Sequence, residues 1–162
     1  MCPAAQLDDN TGCFKIAGRC LMANDNKEQV ASAAIIESLE LVAEKAGDIN
    51  PTILKRYFDK CPASAKLMDH MDHYMLGRML DQVLLLIMED DDNELHNYLR
   101  FETSSHNSYG VEQYMYEHLF DAVLETVIEA AGTGWSDVYQ KSWQARITTL
   151  LHNIREADAA LA

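Results

Sequence analysis

Six histidines, four cysteines and eight methionines are the side chains of this 162-residue chain best able to hold a metal. Spacing decides which of them are placed to do so. His106 lies in Ser104-Ser105-His106-Asn107-Ser108-Tyr109-Gly110-Val111, a polar run between two strongly apolar helical patterns. Taken alone, a histidine there reads as a capping or hydrogen-bonding residue. To serve as a metal ligand, a neutral imidazole would give one ring nitrogen to the metal while the other donates to a carbonyl or hydroxyl that fixes the ring's angle. Ser104 and Ser105, just before it, are expected to supply that acceptor. His70 and His73 stand three apart with Asp69 and Asp72 interleaved. That pattern reads as an exposed helix start, with the acids favourable at the positive helix end. Cys2, Cys13, Cys20 and Cys61 include no Cys-x-x-Cys pair, so no zinc site is expected.

Helices must position these groups, because the patterning is helical almost throughout. Asn26 and Gln29 have capping-box spacing, and Val30, Ala34, Ile35, Leu39 and Val42 recur at helical steps until Gly47. A second helix opens at Asn50-Pro51, carries Ile53, Leu54, Tyr57 and Phe58, and ends near Pro62. A third begins around Asp69, with Leu76, Leu80, Val83, Leu84 and Ile87 on one face and Met75 and Met79 beside them. The acidic run Glu89 to Glu94 reads as a solvated connection, followed by a short, less regular helical stretch from Leu95 to His106. Glu112 to Ala131 forms the next helix, with Tyr116, Leu119, Phe120, Val123 and Val127 inward and Gly132 and Gly134 ending it. Ser136 caps the last, whose stripe is Tyr139, Trp143, Ile147, Leu150 and Ile154. About six helices and no repeat predict an all-α fold. Residues 1–26 read as an N-terminal extension packed on a body of residues 27–162, with Phe14, Ile16, Leu21 and Met22 in a short helix.

Length and composition bound the function. The chain suffices for one domain with a sizeable core, and 48% apolar residues argue against intrinsic disorder. A formal charge of −13 repels nucleic acid and anionic lipid, so neither is expected as a partner. The longest apolar run, Val83 to Met88, is too short to cross a bilayer. No export signal is visible at the N-terminus, so a cytoplasmic protein with reduced thiols is expected.

The helix order, Phe58-Asp-Lys-Cys-Pro62, His106-Asn-Ser-Tyr-Gly-Val111, Tyr116, Trp135 and Trp143 together resemble the globins, specifically bacterial single-domain haemoglobins, from about Lys27 to Leu161. That resemblance implies a globin-like helical sandwich whose crossing helices leave a flat apolar slot for haem b. It makes His106 the iron ligand, and it places Leu54, Phe58, Met68, Met75, Met79, Val83, Tyr109, Val111, Tyr116 and Phe120 around the porphyrin. Tyr116, with Glu156 or Asp158 of the last helix, would bond to the imidazole system and push electron density toward iron. Leu54 stands where many bacterial globins carry a ligand-bonding tyrosine, and Met68 where nearly all globins carry phenylalanine. The distal pocket is therefore expected to be apolar, sulfur-rich and without a hydrogen-bond donor. His70, His73, Met75 or Met79 would give a sixth ligand if one swung in.

The expected function is binding of a diatomic gas (O2, NO or CO) for sensing, NO or redox detoxification, or oxygen binding, with no catalytic residue assigned. The alternatives are a haem-free globin-fold sensor or interaction module, and a six-coordinate electron-transfer or peroxidase-like protein. Redox or sensory work would need a separate reductase or signalling partner, and a homodimer is an open possibility.

Overall fold

The computed structural model describes the backbone of residues 14–16, 19–21, 23–89 and 92–161, and the side chains of residues 29–89 and 97–161. Two short strands, β1 (Phe14–Ile16) and β2 (Arg19–Leu21), come first, followed by seven α-helices. These are α1 (Ala23–Ala46), α2 (Asn50–Lys60), α3 (Pro62–Leu67), α4 (His73–Met88), α5 (Asp92–Ser108), α6 (Gln113–Ala131) and α7 (Asp137–Ala159), with a single 3-10 turn at Gly132–Gly134 between the last two. Apart from the hairpin, the described residues are all-α. No helix among the described residues is long and apolar enough to cross a membrane.

The N-terminal segment corrects the sequence-based expectation. Instead of a short helix, β1 and β2 pair antiparallel with Phe14 opposite Leu21 and Ile16 opposite Arg19. Phe-Lys-Ile alternates apolar with polar, the two-residue period of a strand, whereas Arg-Cys-Leu carries no such alternation. The expected packing of an extension on the body falls mostly on residues 1–13, which lie outside the described residues. Helix α1 begins at Ala23, upstream of the cap expected at Asn26.

Local chemistry accounts for the boundaries elsewhere. Pro51 sits in the first turn of α2, where its missing N–H costs nothing. Pro62 ends α2 and, by the same logic, opens α3, a six-residue helix not expected from periodicity because it is shorter than two turns. Asp72 caps α4 by accepting from the Met75 N–H, so α4 starts four residues later than the Asp69 expected. Ser136 accepts from the Tyr139 N–H at the start of α7, as expected. Helix α5 is longer and more regular than its sequence pattern implies and runs two residues past His106.

The core joins α1, α2, α4, α6 and α7. Helix α1 packs on α4, α6 and α7; α2 packs on α3, α4 and α6; α7 also receives α4, α5 and α6. Leu80, Val123, Val127, Trp143 and Leu150 are sealed in this interior. The Trp143 indole N–H donates to Ser38 Oγ at 2.8 Å, and Ser38 in turn donates to the Ile35 carbonyl at 2.7 Å. The largest buried ring thus has its one polar atom satisfied, and α7 is tied to α1. At the outer edge, Arg56 pairs with Glu129 and Lys60 with Glu125, linking α2 to α6. Helix α5 has α7 as its principal partner and contributes Leu99 to the core.

Candidate functional site

The chain geometry around His106 follows from Gly110. The Val111 N–H donates to the His106 carbonyl at 3.1 Å, and the Gly110 N–H to the Asn107 carbonyl at 3.1 Å. This pair of bonds is the Schellman closure of a helix end, and it needs a left-handed residue at the position Gly110 occupies with φ +86°. His106 therefore belongs to the last turn of α5, and the chain reverses into α6 directly behind it. Backbone conformation and not crowding calls for glycine here, since a Cβ on Gly110 would meet Leu67 Cδ1, at the end of α3, at an ordinary 3.9 Å.

That reversal brings Tyr116, in the first turns of α6, over the imidazole. His106 Nδ1 lies 3.0 Å from the Tyr116 hydroxyl. The hydroxyl thus takes the position expected of Ser104 or Ser105, and Ser104 instead receives the Ser108 hydroxyl on its carbonyl. The other ring nitrogen, Nε2, is 3.7 Å from Glu102 Oε2, one helical turn earlier. That separation is too long for a hydrogen bond and leaves the Nε2 lone pair uncommitted. The His106 side chain is 41% exposed, so the ring is held on one edge and open on the other.

Behind Tyr116 stands Asp158 of α7. Burial pushes the Tyr116 phenol well above its ordinary range, and the Asp158 charge pushes it further. Asn107 donates its amide to Asp158 Oδ1 at 2.7 Å, anchoring the carboxylate to the end of α5. Of the two acids left open by the sequence, Asp158 is therefore the one beside the tyrosine, whereas Glu156 is exposed. With Nδ1–H donating to the phenol oxygen, the phenol O–H is free to donate toward Asp158. Glu102 and Asn107 were not expected. Glu102 was legible only as a four-residue step to His106 on a regular helix, and α5 reads as irregular.

The remaining expected residues divide by burial. Val83 and Phe120 lie in the closed core at 9% and 3% exposure. Leu54, Phe58, Met68, Met79 and Val111 are half-buried and pack against that core from α2, the end of α3, α4 and the turn before α6. Met75 and Tyr109 are exposed, at 48% and 73%. His70 and His73 are exposed at the start of α4, as their interleaved acids imply. Cys61 is buried and free, and accepts from the Ser64 hydroxyl at 3.0 Å. Among the described residues no three His, Cys, Asp or Glu side chains converge as a metal cluster.

No family model matches the chain, and no curated protein matches it.

Proposed function

We propose that this protein is a globin-like haem protein that binds a diatomic gas through an iron carried on His106. The observation that carries the reading is the 3.0 Å bond from Nδ1 to the Tyr116 hydroxyl. It fixes the ring and leaves Nε2 outward, the arrangement an axial imidazole requires. A lone histidine holds iron only when the metal arrives with its other ligands, as it does in a porphyrin.

The residues present fit such a group. Half-buried apolar side chains on α2, α4 and the turn before α6 would gain burial against a flat apolar ring. Glu102 must turn away from Nε2, and its half-buried position on the helix surface allows that. Haem iron, when bound, supplies the gas-binding and redox chemistry. The chain's own residues orient the imidazole through Tyr116 and tether Asp158 through Asn107; Leu54 and Met79 would face the ring's opposite side.

That opposite side offers no hydrogen-bond donor at Leu54, Met75 or Met79, so bound O2, which carries partial negative charge, gains little from its surroundings. CO or NO binding, or sensing of either, is favoured over oxygen storage. The test is the absorption spectrum of purified protein with hemin supplied, in ferric, ferrous and CO-bound states. An intense Soret band that His106→Ala abolishes and Cys61→Ser retains supports the assignment; a band unchanged in His106→Ala refutes it.

A further inference from the structure

Glu102 was not expected from the sequence, and its position gives it a role. Tyr98, Glu102 and His106 follow one another at four-residue steps, so α5 stacks their side chains along one face. The Glu102 carboxylate stands between the other two. On one side its Oε2 lies 3.7 Å from His106 Nε2. On the other the Tyr98 phenol is its hydrogen-bond partner; burial pushes that phenol up, and the Glu102 charge beside it pushes it further.

The two sides differ in what they ask of the carboxylate. A metal stands about 2 Å from a ligating imidazole nitrogen. A planar macrocycle on that metal spreads at right angles to the bond, so one seating on Nε2 meets Glu102 in the position it holds. Leaving the carboxylate there would also press a charge against an apolar ring, which is costly. Glu102 must therefore withdraw before haem can seat. No hydrogen bond holds it at Nε2, and its side chain is 30% exposed, so its rotamers can change without repacking the core. Tyr98 offers a donor on the withdrawn side. The carboxylate thus has two places, one over the ring nitrogen and one beside a phenol.

We infer that Glu102 is a latch on His106: without haem its carboxylate obstructs Nε2, and haem seats when the carboxylate withdraws to Tyr98. The inference rests on His106 being the haem ligand, as proposed above, but the obstruction exists without haem and can be tested without it. Glu102 is a positioning residue here. It touches neither iron nor gas, and it sets how fast the nitrogen becomes accessible.

The full chain is tested at one fixed pH in two ways. Without haem, acylation of His106 by diethyl pyrocarbonate, followed by peptide mass spectrometry, reads access to Nε2, because Nδ1 is engaged by Tyr116. Glu102→Ala should react about threefold faster, the scale of one weak surface contact. Glu102→Asp keeps the charge but draws it back by one methylene, and should also react faster. Tyr98→Phe removes the partner on the withdrawn side and should react more slowly. Glu156→Gln, the same loss of charge at an exposed position, should leave the rate unchanged. Stopped-flow uptake of hemin should follow the same order across these variants. Equal acylation of the wild type, Glu102→Ala and Glu102→Asp would overturn the latch, as would a Tyr98→Phe rate at or above the wild type's. If the wild type takes up hemin while those rates are equal, the latch fails and the haem assignment stands. If the wild type takes up none, the haem assignment fails and acylation alone decides for or against the latch.

Discussion

At the scale of single residues, the imidazole of His106 is defined by its neighbours more than by its own chemistry. Tyr116→Phe removes the acceptor on Nδ1 and makes the ring a weaker electron donor. The expected outcome is retained haem with a lower-frequency iron–histidine stretch in the ferrous resonance Raman spectrum. An unchanged stretch would show that the 3.0 Å bond does not persist with haem in place. On the proposed distal side, Leu54→Tyr would supply a donor that the leucine lacks. A hydrogen bond to bound O2 worth about 1.4 kcal/mol corresponds to a roughly tenfold slower O2 dissociation, with little change for CO, measured by stopped flow. Tyr57 is the second buried phenol. It donates to Ser64 Oγ at 2.8 Å, and burial pushes its pKa up to about 12. Tyr116 is shifted the same way. Both phenols stay neutral in the folded state when their unfolded counterparts ionise near pH 10. Stability is therefore full below about pH 10 and falls as pH rises through 10 to 12, by up to about 1.4 kcal/mol per unit for each tyrosine. Alkaline titration at 295 nm should show these two ionising late, together with loss of helical circular dichroism. Ordinary early titration of every tyrosine would contradict their burial.

At the scale of elements, the joins between helices carry the site. The Trp143–Ser38 bond ties the helix that bears Asp158 to α1. Ser38→Ala leaves the indole N–H unpaired in the core and should cost about 1–3 kcal/mol in denaturant unfolding, with no new spectral species. Gly132, at φ 56° and ψ −127°, ends α6 in a conformation that side chains resist. Gly132→Ala should cost about 1–2 kcal/mol by the same measurement.

The legibility of these elements follows the physics of each. The long helices α1, α2, α6 and α7 are written in apolar stripes repeated over several turns, and a proline, a serine cap or a glycine marks their ends. Helix α3 is too short for any period to emerge. Helix α5 has a mixed, mostly polar composition because its main apolar partner is α7 alone, so its regularity shows only in three dimensions. The strands near Phe14 are three residues each, too short for a period to show, and only Phe-Lys-Ile alternates apolar with polar. At the site, His106 and Tyr116 were legible from type and spacing. The choice of Asp158 over Glu156 was not, because both lie near the end of one helix and only its rotation against α5 separates them.

At the scale of the whole molecule, one tyrosine joins two regions. Its hydroxyl meets an imidazole with an open nitrogen; the same residue helps line an acidic cleft. Both depend on α5, α6 and α7 meeting at a single corner, where Gly110 turns the chain and Asn107 clasps Asp158. Asn107→Ala should leave global stability within about 1 kcal/mol, since it removes one exposed hydrogen bond. It should nonetheless change the iron–histidine stretch in the direction of Tyr116→Phe, a coupling that a site built from isolated residues would lack.

The account as a whole turns on whether the open nitrogen of His106 takes iron. Optical titration of the full chain with hemin, read at the Soret band and followed by reduction and exposure to CO, measures this directly. We expect stoichiometric uptake, a sharp CO-bound Soret band and loss of both in His106→Ala. A wild-type chain that stays colourless under the same titration, or an alanine variant with the same spectrum, would contradict it.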